Sequence, residues 1–163
     1  MFIRAIACAF SLVLLGSMSA QAAPMLIQQY GAWGAYSYQS ESGPVCYVLS
    51  VPTSQLPANV DHGKNYFMVS RTAKGEEPEA LMGYVLRSGS KVKVTIGDRT
   101  FSMFSNDDKA WVEDATDEPG MVAAMRSGHD MTLAAVSKRG TATSYTYSLS
   151  GITDALKKIG LCK

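Results

Sequence analysis

A chain of 163 residues, 47% hydrophobic and 18% charged, has the composition of one globular domain and excludes a disordered or fibrous protein. Its 15 basic residues stand against 14 acidic ones, a formal net charge of +1. That balance gives no electrostatic reason to expect nucleic acid or an anionic membrane as partner.

The chain opens as a leader. Met1 to Arg4 form a positive start, Ala5 to Leu15 an apolar run, and Gly16 to Ala22 a small, polar stretch ending Ala20-Gln21-Ala22. This is the A-x-A pattern of a cleaved signal peptide over residues 1–22, with a single mature domain over 23–163. The apolar run is too short to span a membrane, and no other stretch reaches the ~18 apolar residues needed. No stable membrane insertion is therefore expected after cleavage. Losing Arg4 leaves 14 basic residues against 14 acidic ones. Cys8 departs with the leader, so the exported chain keeps Cys46 and Cys162. Two thiols in an oxidising compartment most simply form one disulfide; two free thiols or an intermolecular bridge are the alternatives.

The mature chain reads mostly as strands. Met25 to Tyr38 is an aromatic strand broken by a glycine bend, and Ser40 to Pro44 a polar turn. Val45 to Val51 is apolar on both faces, with Val45, Tyr47 and Leu49 on one and Cys46 and Val48 on the other. Pro52 to Lys64 carries enough breakers to be a loop. Tyr66 to Ser70 is a strand, Thr72 to Pro78 an exposed connection, and Leu81 to Leu86 a strand with Gly83 at a bulge. Ser88 to Ser90 turns the chain. Val92, Val94 and Ile96 alternate with Lys91, Lys93 and Thr95, and Gly97-Asp98 makes a two-residue hairpin turn before Phe101 to Phe104 returns. A second polar turn, Asn106 to Lys109, leads to a short strand around Trp111.

From Asp114 the period changes. Asp117, Glu118 and Pro119 mark a helix start, Met121, Val122, Ala124 and Met125 an apolar stripe, and Gly128 a stop. Met131 to Val136 and Thr141 to Leu149 are strands around a basic turn, Ser137 to Gly140. Ile152, Ala155, Leu156 and Ile159 then fall on one face of a closing helix that leads to Cys162. Eight or nine short strands with two short helices make an all-β sandwich or barrel.

Motifs for chemistry are sparse. His62 and His129 are isolated, with no HxxxH, HExxH or Cys/His cluster, and the acids at Asp107-Asp108 and Glu113-Asp114 lack calcium-loop spacing. There is no G-x-S-x-G, Walker or dinucleotide-binding motif. The reading assigns no catalytic residue, no cofactor and no metal. Both histidines read as surface loop residues. A hydrolase built on His62 or His129 is the enzymatic alternative, and it requires a cleft placing either ring near an acid and a serine. A small-ligand pocket among Met68, Met82, Met103 and Met125 is another alternative. Most of Tyr30, Trp33, Tyr36 and Tyr38 read as core or cross-strand pairs, and Trp33 and Tyr36 are the candidates for a partner-binding aromatic patch as the alternative.

Six stretches together resemble one family. They are YGAWGAYSY (Tyr30 to Tyr38), VCYVLSVP (Val45 to Pro52), MGYVLRSGSKVKVTIGDRTFSMF (Met82 to Phe104), DKAWVED (Asp108 to Asp114), MVAAMRSGHDMTLAAVSKRGTATSYTYSLSG (Met121 to Gly151) and ALKKIGLC (Ala155 to Cys162). They are similar to the invasion-associated locus B family of exported proteins of Gram-negative, mostly alphaproteobacterial, cells. The run from Ser137 to Gly151 is the most specific. Many members carry a further cysteine after the early tryptophan; here that region is AYSYQS, which leaves Cys46 free to pair with Cys162. The resemblance implies an immunoglobulin-like β-sandwich in the periplasm, at the outer membrane or secreted. It also implies a link to host-cell invasion through binding of an unknown protein or envelope component, and no catalytic residues.

Overall fold

The structure, a computed structural model, describes residues 23–162. The expected leader, residues 1–22, lies outside them. The described chain forms eleven strands: β1 (Met25–Tyr30), β2 (Trp33–Ser40), β3 (Gly43–Ser50), β4 (Ser54–Leu56), β5 (Tyr66–Thr72), β6 (Gly75–Leu81), β7 (Lys91–Ile96), β8 (Arg99–Asn106), β9 (Lys109–Val112), β10 (Asp130–Val136) and β11 (Ala142–Ser148). Helix α1 (Glu118–Ser127) separates β9 from β10, and α2 (Ile152–Gly160) follows β11.

All strands join one antiparallel sheet in the order β1-β2-β3-β5-β6-β9-β8-β7-β10-β11-β4. The sheet folds over so that its two halves face each other as a sandwich. Phe67 of β5 meets Tyr147 of β11 edge to face at 5.9 Å, and the Trp33 indole donates to the Ser148 carbonyl at 2.9 Å. Between the halves lies a core that includes Trp33, Val48, Phe67, Met103, Leu133 and Tyr147, all fully buried. The strict inside-outside alternation of β7, with Val92, Val94 and Ile96 buried and Lys91, Lys93 and Thr95 exposed, is the period-2 signature of a half-buried strand.

Eleven strands form where eight or nine were expected, and the differences have local causes. Gly31 (φ +53°) lets the aromatic stretch fold back as a two-residue turn, so one bent strand becomes the β1–β2 hairpin. TAKGEEP is not a connection. Gly75 to Pro78 pair with Thr72 to Val69, and only Ala73-Lys74 form the turn. Three residues of the supposed loop, β4, add to the edge of β11. Conversely, Leu81 to Leu86 forms no regular strand after Leu81. Gly83 lies so close to the His62–Lys64 backbone that a Cβ there would collide with the His62 carbonyl. This segment is held by a packed neighbour rather than by a ladder, apart from one bridge between Leu86 and Ser137.

Both helices cover the sandwich. Helix α1 follows a 3-10 turn capped by Asp114, whose carboxylate accepts the Thr116 N–H at 2.9 Å, and it buries Met121, Val122, Ala124 and Met125 beside β6. Helix α2 buries Ile152, Ala155, Leu156 and Ile159 against β2 and β3. One turn past this apolar face Cys162 is bonded to Cys46 of β3, across 116 residues and with Cα atoms 6.3 Å apart. The alternation that turns Cys46 and Val48 inward thus also aims the Cys46 thiol at α2.

Candidate functional site

Three segments far apart in sequence enclose a groove of about 640 Å³, within the usual size of a ligand site. The first wall is the loop after β4, carrying Val60 and Asp61. The second is the irregular segment after β6, with Tyr84 and Val85. The third is the basic turn and the start of β11, with Ser137, Lys138, Arg139, Thr141 and Thr143. Val60 and Val85, 37% and 41% exposed, present apolar surface to the opening.

Buried hydrogen bonds hold the first two walls in place. His62 is only 8% exposed; its Nδ1 lies 2.8 Å from the Tyr145 hydroxyl and its Nε2 2.9 Å from the Pro57 carbonyl. A carbonyl only accepts, so Nε2 carries a proton, and in the neutral ring Nδ1 accepts from Tyr145. Burial pushes the Tyr145 phenol well above its ordinary range, which keeps that donor protonated. Asn65 donates to the His62 carbonyl at 2.8 Å and accepts from the Gly83 N–H at 3.0 Å, tying loop to segment. At the groove floor, the Tyr84 and Thr143 hydroxyls meet at 2.6 Å, and Thr143 donates onward to the Ala135 carbonyl.

Cations gather at one end. Lys138 and Arg139 are exposed on the turn, and Arg87 Nη2 lies 2.8 Å from where a Cβ on Gly140 would stand. None of the three joins an ion pair among the described residues, where Lys91, Lys109, Arg126 and Lys157 each do. The facing Asp61 carboxylate accepts the Gly63 N–H. The groove therefore offers an apolar slot, a hydroxyl pair at its floor and unneutralised positive charge at its rim.

The residues singled out from sequence fare differently. Trp33 is fully buried with its indole N–H committed to Ser148, so it is a core anchor and not part of a partner-binding patch. Tyr36 lies half-buried on the outer face, stacked on Tyr47 with ring centroids 5.5 Å apart. His62, expected at the surface, is buried because Tyr145 gives it a partner 83 residues away. Both its nitrogens are occupied, and neither partner is an acid or a serine. His129 is exposed, and no acid or serine side chain is bonded to it among the described residues. The hydrolase constellation is thus not assembled around either ring. Met82, Met103 and Met125 fill the core, while Met68 lies on the opposite face of β5, so the four line no common pocket. Among the described residues no group of three or more His, Cys, Asp or Glu side chains converges as a metal site. No described helix is long and apolar enough to cross a membrane.

A two-layered antiparallel sheet, covered by two short helices and clasped by a disulfide, defines an all-β sandwich-like domain with a groove at its rim. The family model for invasion associated locus B (IalB) protein matches residues 33–160, from the start of β2 through α2. The chain belongs to that family. Comparison with curated proteins and with solved structures returned no match. Five of the groove's lining residues, Ser137 to Thr143, come from the run most specific to the resemblance. Sequence reasoning singled out that run without seeing that it meets Val60 and Val85.

Proposed function

We propose that this family member is a non-enzymatic, exported protein of the cell envelope, periplasmic or surface-associated, that acts by binding another protein or an envelope component. An association with host-cell invasion belongs to the same reading. The observation that carries it is the groove: apolar walls and rim cations outside any described ion pair suit recognition, and hydrogen bonds from His62 to Tyr145 and between Tyr84 and Thr143 hold the walls in place. The leader-like pattern of residues 1–22 and the Cys46–Cys162 bond are what support an oxidising compartment in this reading. A photo-crosslinking amino acid placed at Val85 in living cells tests it. A discrete adduct with one envelope partner is expected, absent when the crosslinker is moved to Lys93 on the outer face. Equal labelling from both positions would refute a role for the groove, and recovery of the protein in the cytoplasmic fraction would refute export.

A further inference from the structure

We infer that the groove receives the C-terminal end of a partner polypeptide: its free α-carboxylate at the basic turn and its apolar last side chain between Val60 and Val85. This rests on the protein-binding reading above and names what the partner presents. Two independent features point the same way. The first is charge complementarity. Lys138, Arg139 and Arg87 surround the turn at Gly140 and no described ion pair uses them, so a carboxylate arriving there meets three cations against the one Asp61 carboxylate of the facing wall, itself held by the Gly63 N–H.

The second feature is an open length of strand edge beside those cations. The Thr146 carbonyl accepts from the Thr53 N–H at 2.7 Å, which fixes the side of β11 that faces β4. By the two-residue alternation, Ser144 and Ala142 turn their N–H and C=O groups to that same side. Strand β4 ends at Leu56, opposite Ser144. Ala142 is exposed, lies beyond that end, and takes part in no described backbone hydrogen bond outside the ladder with β10, so its backbone pair is open to an incoming chain. One uncovered hydrogen-bonding residue is too short for a whole added strand and matches the last two or three residues of a chain. Edge pairing for the backbone, an apolar slot for the side chain and cations for the carboxylate form a recognised mode of reading chain ends.

The test is an NMR titration of the oxidised mature protein with a hexapeptide ending in valine, its C-terminal amide, and decanoate. The free-acid peptide should shift the amides of Val85, Lys138 and Ala142 in a saturable way. The amide form and a Lys138→Ala/Arg139→Ala variant should each bind about tenfold more weakly or worse. Both replaced side chains are exposed, and an unchanged melting temperature would confirm an intact fold. Equal binding of acid and amide, no groove shifts at millimolar peptide, or shifts with decanoate alone would each overturn the inference. The Val85 crosslink distinguishes the two readings: a captured partner alongside failed titrations removes the chain-end inference while leaving protein binding in place.

Discussion

Replacing both Cys46 and Cys162 by alanine is the perturbation whose size the structure sets most directly. The bond closes a loop across 116 residues, nearly the whole described chain. In the chain-entropy account, removing a cross-link over a loop of that size frees roughly 16 cal/mol/K of unfolded-chain entropy, about 5 kcal/mol at 25 °C. The folded state changes little, because Ile152, Ala155, Leu156 and Ile159 still bury the face of α2. For a domain of this length, with an unfolding entropy near ~2 cal/mol/K per residue, the loss corresponds to a drop of roughly 16 °C in Tm. Urea unfolding of the oxidised wild type, the reduced wild type and the double variant measures it. The m-value should rise on removing the bond, since an uncrosslinked chain exposes more surface when it unfolds. A Tm drop under about 3 °C with an unchanged m-value would refute the loop-closure reasoning and leave the bond as no more than a local tie at the end of α2.

Tyr145→Phe removes the donor to His62 Nδ1 and leaves a buried acceptor unpaired, at a cost of about 1–3 kcal/mol. Hydrogen exchange should then accelerate across residues 57–64, and unchanged protection there would show that the loop is held by other contacts. Tyr147 sets an alkaline limit. Burial holds its phenol well above the ordinary 10.0, so the unfolded chain ionises first, and stability is full below pH 10 and falls above it. Its share of the loss is about 1.4 kcal/mol per pH unit beyond 10, read from melting curves between pH 8 and 11.5. Tyr147→Phe should roughly halve that limb, the buried Tyr145 phenol supplying the rest, while costing little at neutral pH because the Tyr147 hydroxyl has no protein partner; an unaltered limb would point to other groups. Gly83→Ala forces a Cβ into the His62–Lys64 backbone, so the variant should lose stability and separate two groove walls. Wild-type melting together with unchanged Val85 amide shifts would disprove the close-approach argument.

What was legible in the sequence was whatever local pattern decides. The β7–β8 hairpin is announced by alternation and by Gly97, whose φ of +58° its turn requires. The same holds for α1, with its acids and proline at the start, and for the apolar stripe of α2. The Cys46–Cys162 pairing was the simplest of the alternatives left by the cysteine count once export was expected, and the structure forms it. Local pattern failed where a distant neighbour decides. Strand β6 is polar in sequence and contains Pro78, yet β5 on one side and β9 on the other make it an interior strand. Segment 82–86 looks like a strand, but the 62–64 loop pins it at Gly83. The groove was the least legible feature, because each wall is unremarkable by itself and the three meet only after the sheet has folded over. For Trp33 the core reading holds and the exposed-patch alternative does not, and the bond that decides it goes to Ser148, 115 residues downstream.

That same bond has a consequence for how the protein comes into being. Trp33 and Cys46 lie in the first third of the chain, and their partners Ser148 and Cys162 come near its far end. During synthesis the β1–β2–β3 meander emerges first, with its inner apolar face bare and nothing yet made to cover it. Contacts of such long sequence separation fold slowly, on the ms–s scale of all-β domains or slower, and unpaired strand edges stay open to other chains meanwhile. The late elements β11 and α2 are therefore a closing step. Until they arrive the early sheet depends on being shielded, and truncation ahead of β11 should yield an aggregating product rather than a smaller stable domain.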